Sequence, residues 1–200
     1  MTTPVAEQAV AIVSDYFRTP INSLEASADA LSRELARART SGRMTAAVLD
    51  ELVEPHAQLT LDLAGTSVYG AGFIAAVDLL SDARSHLAWW QGPERHRLVL
   101  AAQSVNKERI DYNELEWFRI PMATGAPHVA GPYVDYLCSD EYMMTVASPV
   151  QLDGEFVGVA GLDLLIDSVE RQLVPLLEAL ERVGCDGIAL EVIAEERARG

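Results

Sequence analysis

The sequence predicts an α+β fold in which helices pack on an antiparallel sheet. Amphipathic helical segments come first, short apolar runs typical of strands follow between residues 67 and 166, and one more helical segment comes after them. An Asp-Gly pair joins two of the apolar runs directly, which is a strong hairpin signal and favours antiparallel neighbours. Strands and helices do not alternate along the chain, as they would in a doubly wound parallel sheet.

Two N-terminal helices are predicted from proline at their first positions. Thr3-Pro4 and Thr19-Pro20 each combine a capping residue with a proline, whose missing N–H costs nothing at a helix start. Each helix has one apolar face, formed by Val5, Ala9, Ile12 and Tyr16 in the first and by Leu24, Ala28, Leu31 and Leu35 in the second. The second face is narrow, which is typical either of packing on a sheet or of a helix–helix dimer seam.

The other elements are predicted from turn residues and from the period of the apolar pattern. Gly42 is expected to end the second helix, and Pro55 to kink or stop a third. Strands are expected over residues 67–80, 86–90, 97–102, 129–137 and 187–193, a short helix or a tight loop over 115–122, and a helix capped by Asp167. We expect one domain over residues 1–200, with N-terminal helices in 1–66, sheet and pocket in 67–166, and the last helix and strand in 167–200.

The Asp153-Gly154 hairpin determines which residues share a face of the sheet. A regular two-residue turn pairs Leu152 with Glu155 and, further along the strands, Met144 with Asp163. Pro149 cannot donate to the ladder, so it marks an edge or a bulge, and a bulge would shift the register by one residue beyond it.

Charge and composition exclude several classes of function. A formal net charge of −15 argues against binding to nucleic acid or to an anionic membrane, because both need clustered Lys and Arg. The chain has no apolar run of the ~18 residues that a membrane helix needs and no basic-then-apolar leader. We therefore expect a cytoplasmic protein, with Cys138 and Cys185 as free thiols.

No cofactor or metal is implied by the sequence. The four histidines are scattered without ligand spacing. Gly70-x-Gly72 lacks the third glycine of a dinucleotide fingerprint and is expected instead to allow close packing of a strand. There is no Gly-x-Ser-x-Gly elbow, and an acid/base pair of Asp135 and Asp163 is conceivable but has no supporting signature.

One group of residues is typical of a cation-binding pocket. Aromatic faces attract cations, and buried carboxylates bind ammonium groups through charge-assisted hydrogen bonds. The candidates are Trp117, Phe118, Tyr133, Asp135 and Asp163. The alternative is a core aromatic cluster with exposed aspartates. Arg119 is predicted either to hold a ligand carboxylate or to form a surface salt bridge, and Trp89 is expected to support the fold.

In their order and spacing these features resemble the Cache family of PAS-like sensor domains, over residues 12–180. The motifs are GAGFIAAVDLL, EWF, GPYVDY, TVASPV, the Asp-Gly turn and GVAGLDLL. The resemblance implies a central PAS-like antiparallel sheet of about six strands with long N-terminal helices packed on it. It also implies a pocket that binds small amino acids, amines or organic acids and passes its occupancy to a partner domain.

The same resemblance implies roles for individual residues. It places the family's aromatic pair at Trp117 and Phe118, its Tyr-x-Asp pair at Tyr133 and Asp135, and the acid that ends the last strand at Asp163. The family's amino-acid binders carry an arginine two positions before the tryptophan, where this chain has Leu115. This departure favours an amine or a quaternary ammonium ligand over an ordinary amino acid, unless Arg119 substitutes.

The resulting hypothesis is a soluble, non-enzymatic sensor of a small amine, quaternary ammonium or amino-acid-like metabolite, with an unidentified downstream partner. Two alternatives remain open: a dimerising interaction protein with a vestigial pocket, and a small enzyme that uses Asp135 and Asp163. We also expect a homodimer through the N-terminal helices, because one sheet with a pocket on one face leaves little room for both of their apolar faces.

Overall fold

The computed structural model describes residues 4–98, 112–135, 139 and 141–181. The elements are α1 (Pro4–Ser41), α2 (Ala46–Leu61), β1 (Val68–Ala75), β2 (Leu87–Gln91), β3 (His96–Arg97), a 3-10 turn (Tyr112–Glu114), α3 (Glu116–Thr124), β4 (His128–Val134), β5 (Tyr142–Leu152) and β6 (Glu155–Leu165). A further helix, α4, covers residues 166–181 and so begins one residue before the predicted cap. The predicted strand over residues 187–193 and most of the one over 97–102 lie outside the described residues.

The six strands form one antiparallel sheet in the order β3-β2-β1-β6-β5-β4. The predicted α+β class is confirmed, and the strand rich in glycine, β1, is central. Residues of α2 and of the second half of α1 face one side of the sheet, around Ala160, while α3 packs on the other side against β4, β5 and β6. The second side is therefore the one on which the predicted aromatic residues lie.

The chain divides into two compact units. One comprises residues 20–166, and the other combines residues 1–19 with 167–200. Within the second unit, the rings of Tyr16 and Phe17 meet edge to face at 5.0 Å, and Arg171 donates to the hydroxyl of Ser168 at 2.7 Å. The expectation of a single domain stays a prediction. Within the described residues, no helix combines the length and apolar character that crossing a membrane requires.

The prediction that a second helix starts at Pro20 is wrong, because α1 runs without a break from Pro4 to Ser41. A proline inside a helix removes one backbone hydrogen bond. Burial of the apolar face that follows Pro20 stabilises the helix and offsets this loss. The residues of that face are each at most 4% exposed, namely Leu24, Ala28, Leu31 and Leu35. That burial favours packing within the chain over a dimer seam for this face. Pro55 likewise lies inside α2 and does not stop it.

The hairpin begins as predicted and then departs from the predicted register. Leu152 pairs with Glu155, but a bulge between Val150 and Gln151 shifts the pairing, so Asp163 lies opposite Thr145 and not Met144. Part of the reason is Gly158, at φ +148, where an added Cβ would lie 2.2 Å from the carbonyl oxygen of Ile74. This close approach of β6 to β1 is possible only for glycine. The bulge thus forms beside Pro149, and it places Asp163 on the opposite face from the regular hairpin.

Candidate ligand-binding site

A cavity lies between the sheet and α3, within the unit of residues 20–166. It has about 30 Å³ of free volume, enough for about two water-sized groups, so a larger ligand requires side chains to move. Its walls come from the five strands β1, β2, β4, β5 and β6, from the 3-10 turn, from α3 and from the residue that follows β4. The lining residues are Ile74, Leu87, Trp89, Tyr112, Trp117, Tyr133, Asp135, Thr145 and Asp163.

Asp163 is the centre of a buried hydrogen-bond chain. The residue is 7% exposed, and its side chain accepts a hydrogen bond from the hydroxyl of Thr145 at 2.5 Å. The Tyr133 hydroxyl lies 2.5 Å from the same Thr145 oxygen. Because Thr145 has only one hydroxyl proton and gives it to Asp163, Tyr133 is the donor in the second bond. The chain therefore fixes Oδ1 of Asp163.

The environment of Asp163 disfavours its charged form. Burial raises the pKa of Asp163 to about 7. The hydrogen bond from Thr145 opposes this shift, and the nearby charge of Asp135 adds to it. Desolvation is the main cause, since a carboxylate out of water loses its hydration. A cation in the cavity would reverse this balance by favouring the ionised form.

Asp135 supplies the second buried acid at the end of β4. Its side chain is 6% exposed, and its backbone N–H donates to the carbonyl of Glu141 at 2.9 Å. The hydroxyl of Ser139 lies 3.4 Å from Oδ2. Asp135 and Tyr133 both line the cavity, as expected from their alternation along the strand. Two carboxyl groups thus face one small space.

Aromatic rings close the cavity from the side of α3. The rings of Tyr112 and Trp117 are 6.0 Å apart, and Trp117 meets Phe118 nearly edge to face at 6.2 Å. Phe118 in turn packs edge to face on Phe156 at 5.4 Å. The helix that carries Trp117 and Phe118 ends at Gly125, in the left-handed conformation that favours glycine. Trp117 therefore forms the wall, and Phe118 anchors α3 in the core.

Trp89 lies flat on a floor of three glycines, Gly70, Gly72 and Gly161. A Cβ added to Gly72 or Gly161 would lie 2.9 or 3.3 Å from the six-membered ring, and one added to Gly70 would lie 2.6 Å from the indole nitrogen Nε1. Gly70 pairs with Asp163 in the sheet register. The nitrogen edge of the indole is therefore at the Asp163 end of this glycine floor.

Four of the six residues predicted for the site line the cavity, namely Trp117, Tyr133, Asp135 and Asp163. Phe118 is buried behind them at 1% exposure, and Arg119 is exposed on α3 and does not line the cavity. Leu115 packs against the aromatic cluster. Whether any of the six binds a ligand stays a prediction.

Sequence reasoning missed Trp89, Tyr112 and Thr145 as lining residues. Trp89 was expected only to support the fold, yet it lines the same cavity as Trp117. The glycines at positions 70 and 72 were the available signal, since they leave room for a large ring from the next strand. Thr145 can be identified as a lining residue only when the bulge is known, because the bulge pairs it with Asp163.

The histidines pair separately with carboxylates. His86 contacts Asp50 at 2.8 Å, and His128 contacts Glu116 at 2.8 Å. No group of three or more His, Cys, Asp or Glu suited to a metal ion occurs in the part of the chain that the structure describes. Cys138 and Cys185 lie outside that part.

Residues 90–171 match the family model of the first PDC sensor domain of proteins like methyl-accepting chemotaxis proteins. Among curated proteins, the methyl-accepting chemotaxis protein TlpQ of Pseudomonas aeruginosa is 36% identical over 72 residues, which are 36% of this chain and 10% of TlpQ. The chain thus corresponds to a small part of that relative. The match to a PDC sensor domain agrees with the expected resemblance to the Cache family of sensor domains and does not favour the enzyme alternative.

Solved structures of chemoreceptor domains share the fold. The ligand-binding domain of the Campylobacter jejuni chemoreceptor Tlp3, in complex with L-valine, matches with a TM-score of 0.61 and 15% identity, over 86% of this chain and 61% of that one. The ligand-binding domain of PctB of Pseudomonas aeruginosa, in complex with L-Arg, matches with a TM-score of 0.50 and 19% identity, over 84% and 57%. At these identities the likeness establishes the fold alone.

Proposed function

We propose that the PDC-type sensor domain in this chain binds a small ammonium-bearing metabolite in the cavity beneath α3. The observation that carries the proposal is the pair of buried carboxyl groups, Asp135 and Asp163, in a cavity without Lys, Arg or His among the lining residues that the structure describes. Carboxylates bind ammonium groups through charge-assisted hydrogen bonds, so a ligand that brings a positive charge is the natural complement of this pair.

Aromatic walls support the same class of ligand. Trp117, Tyr112 and Tyr133 line the same cavity as the carboxyl groups, and aromatic faces attract cations by about 0.5–2 kcal/mol each. Thr145 holds Oδ1 of Asp163, and an ammonium proton would bind at Oδ2. An ammonium group would thus meet both charge and hydrogen-bond acceptors.

The ligand's other end is expected to lack a free carboxylate. Tlp3 and PctB were solved with amino acids, and the resemblance to amino-acid binders implies an arginine where this chain has Leu115. Arg119 is exposed and does not line the cavity, so no guanidinium among the described lining residues would pair with a carboxylate. We therefore favour amines over amino acids.

A thermal-shift screen tests the proposal with matched ligands. Alkylamines, the corresponding carboxylic acids and the corresponding amino acids are each added to purified protein at neutral pH. We expect amines to raise the melting temperature by about 5–10 °C, because a ligand at ~100 times its dissociation constant stabilises by roughly 2.7 kcal/mol. Stabilisation by the carboxylic acids and not by the amines would contradict the proposal.

Amine affinity is expected to rise with pH up to neutrality. The pKa of Asp163 is raised to about 7, so below that pH an ammonium ligand must displace the proton. Each unit of pH below 7 should then weaken binding by up to about tenfold, with a plateau above 7. Calorimetry from pH 5 to 8 measures this slope. A quaternary ammonium ligand, whose charge is independent of pH, should show the same slope, and a flat profile would contradict the role of Asp163.

Signal output would require a second protein surface, and we propose a homodimer through the N-terminal helix. Val5, Val10 and Val13 of α1 are 37%, 64% and 36% exposed, which is a large apolar surface for one helix. Light scattering should give about twice the 21.7 kDa chain mass. Val10→Glu with Val13→Glu should give a folded monomer, whereas a monomeric wild type at tens of micromolar would refute the dimer.

The expected cytoplasmic location also stays a proposal, which cell fractionation would test.

A further inference from the structure

Trp89 lines the cavity, and its indole carries a buried hydrogen-bond donor. Its side chain is 4% exposed, and Nε1 has no acceptor among the residues that the structure describes. Buried donors are nearly always paired, because an unpaired one loses its hydration without compensation. A donor in this position therefore indicates that the acceptor arrives with a ligand.

The glycine floor determines where that donor lies. The six-membered ring of Trp89 covers Gly72 and Gly161, and Nε1 lies over Gly70. Gly70 is the register partner of Asp163, so the donor lies at the Asp163 end of the glycine floor. A rigid ring held against backbone cannot turn its N–H away without displacing the sheet, and the donor is thus fixed in place.

We propose that Trp89 Nε1–H donates a hydrogen bond to the ligand, so the ligand carries an acceptor oxygen or nitrogen in addition to its ammonium group. This inference rests on the proposed function, since it takes Asp163 as the partner of the ammonium. It narrows the ligand class from amines in general to amino alcohols and similar amines with an acceptor. Simple alkylamines and tetraalkylammonium ions would leave the indole N–H unpaired.

Matched pairs of ligands test the inference in the wild-type protein. Amino alcohols with two, three and four carbons are compared with alkylamines in which a methyl group replaces the hydroxyl. At the length that spans the two groups, we expect the amino alcohol to bind about tenfold more tightly, because only it satisfies the buried donor. Calorimetry measures the ratio of the two dissociation constants. If Trp89 had a purely structural role, this ratio would not depend on its N–H.

Two neighbouring tryptophans provide a variant and its control. Trp89→Phe removes the N–H and should bring the ratio to about one. Trp90→Phe removes the same group from the next residue of β2, which is 3% exposed and does not line the cavity, and it should leave the ratio unchanged. If Trp89→Phe does not fold, Gly70→Ala provides a second variant, because its methyl group would lie 2.6 Å from Nε1 and should also abolish the preference.

The outcomes separate the inference from the proposed function. Binding of amines and amino alcohols with equal affinity at every length would overturn the inference and leave the proposed function intact. A preference that survives in Trp89→Phe, or that disappears in Trp90→Phe as well, would also overturn it. Failure of every ammonium compound to bind would refute the proposed function and, with it, the inference.

Discussion

Asp163→Asn is expected to weaken amine binding by at least about 30-fold while the protein stays folded. The substitution removes a charge-assisted hydrogen bond to the ammonium, which contributes about 2 kcal/mol or more. Asparagine has nearly the same shape and still accepts the hydrogen bond that Thr145 donates to Oδ1. Calorimetry with a saturable amine measures the loss.

The same variant should change how stability depends on pH. The folded-state pKa of Asp163 is raised from 3.8 to about 7, so its contribution to stability is fully present below the unfolded pKa and is lost as pH rises through about 7. Asp163→Asn removes this loss, and the ligand-free variant should gain stability relative to wild type at pH 8. Denaturation at pH 5 and pH 8 measures the difference.

Asp153→Asn is the matched control. Asp153 lies exposed in the hairpin turn, at φ 51, a conformation that asparagine also adopts readily. This variant should bind amines as the wild type does and show the wild-type dependence of stability on pH. Undiminished affinity in Asp163→Asn would show that the ammonium is held elsewhere.

Local chemistry made much of the fold predictable from the sequence. The Asp-Gly turn, the glycine after α1 and the alternation that places Tyr133 and Asp135 in one cavity are properties of a few neighbouring residues. The error at Pro20 has a different origin. Proline carries a local preference for helix starts, but the burial of Leu24, Leu31 and Leu35 outweighs it, and burial depends on the whole unit.

The site was less predictable because it depends on register and on close approach between strands. The bulge at Val150 and Gln151 exchanges Met144 for Thr145 as the partner of Asp163. The cause lies partly in another strand, since β6 approaches the backbone of β1 at Gly158. Trp89 was missed for a related reason. Its ring fits into the cavity wall because β1 and β6 have glycines there, at positions 70, 72 and 161. The residues next to Trp89 in the sequence do not reveal this.

Gly72→Ala is expected to destabilise the fold by about 3 kcal/mol or more, at the upper end of the effects of overpacking. A Cβ at this position would lie 2.0 Å from the carbonyl oxygen of Ala88 and 2.8 Å from Cα of Trp89. Both are backbone atoms of the paired strand β2, so no side-chain rotation relieves the overlap, and β1 and β2 must separate locally. Urea denaturation measures the free energy of unfolding.

The control for Gly72→Ala is Gly42→Ala, beyond the end of α1. An added Cβ at Gly42 meets no atom within 4 Å, so this variant should stay within about 0.5 kcal/mol of wild type. A loss below about 1 kcal/mol for Gly72→Ala would contradict the close packing of β1 on β2. Because Trp89 lies on Gly72, any Gly72→Ala protein that remains folded should also lose the preference for amino alcohols, which connects the packing of the central strand to the specificity of the cavity.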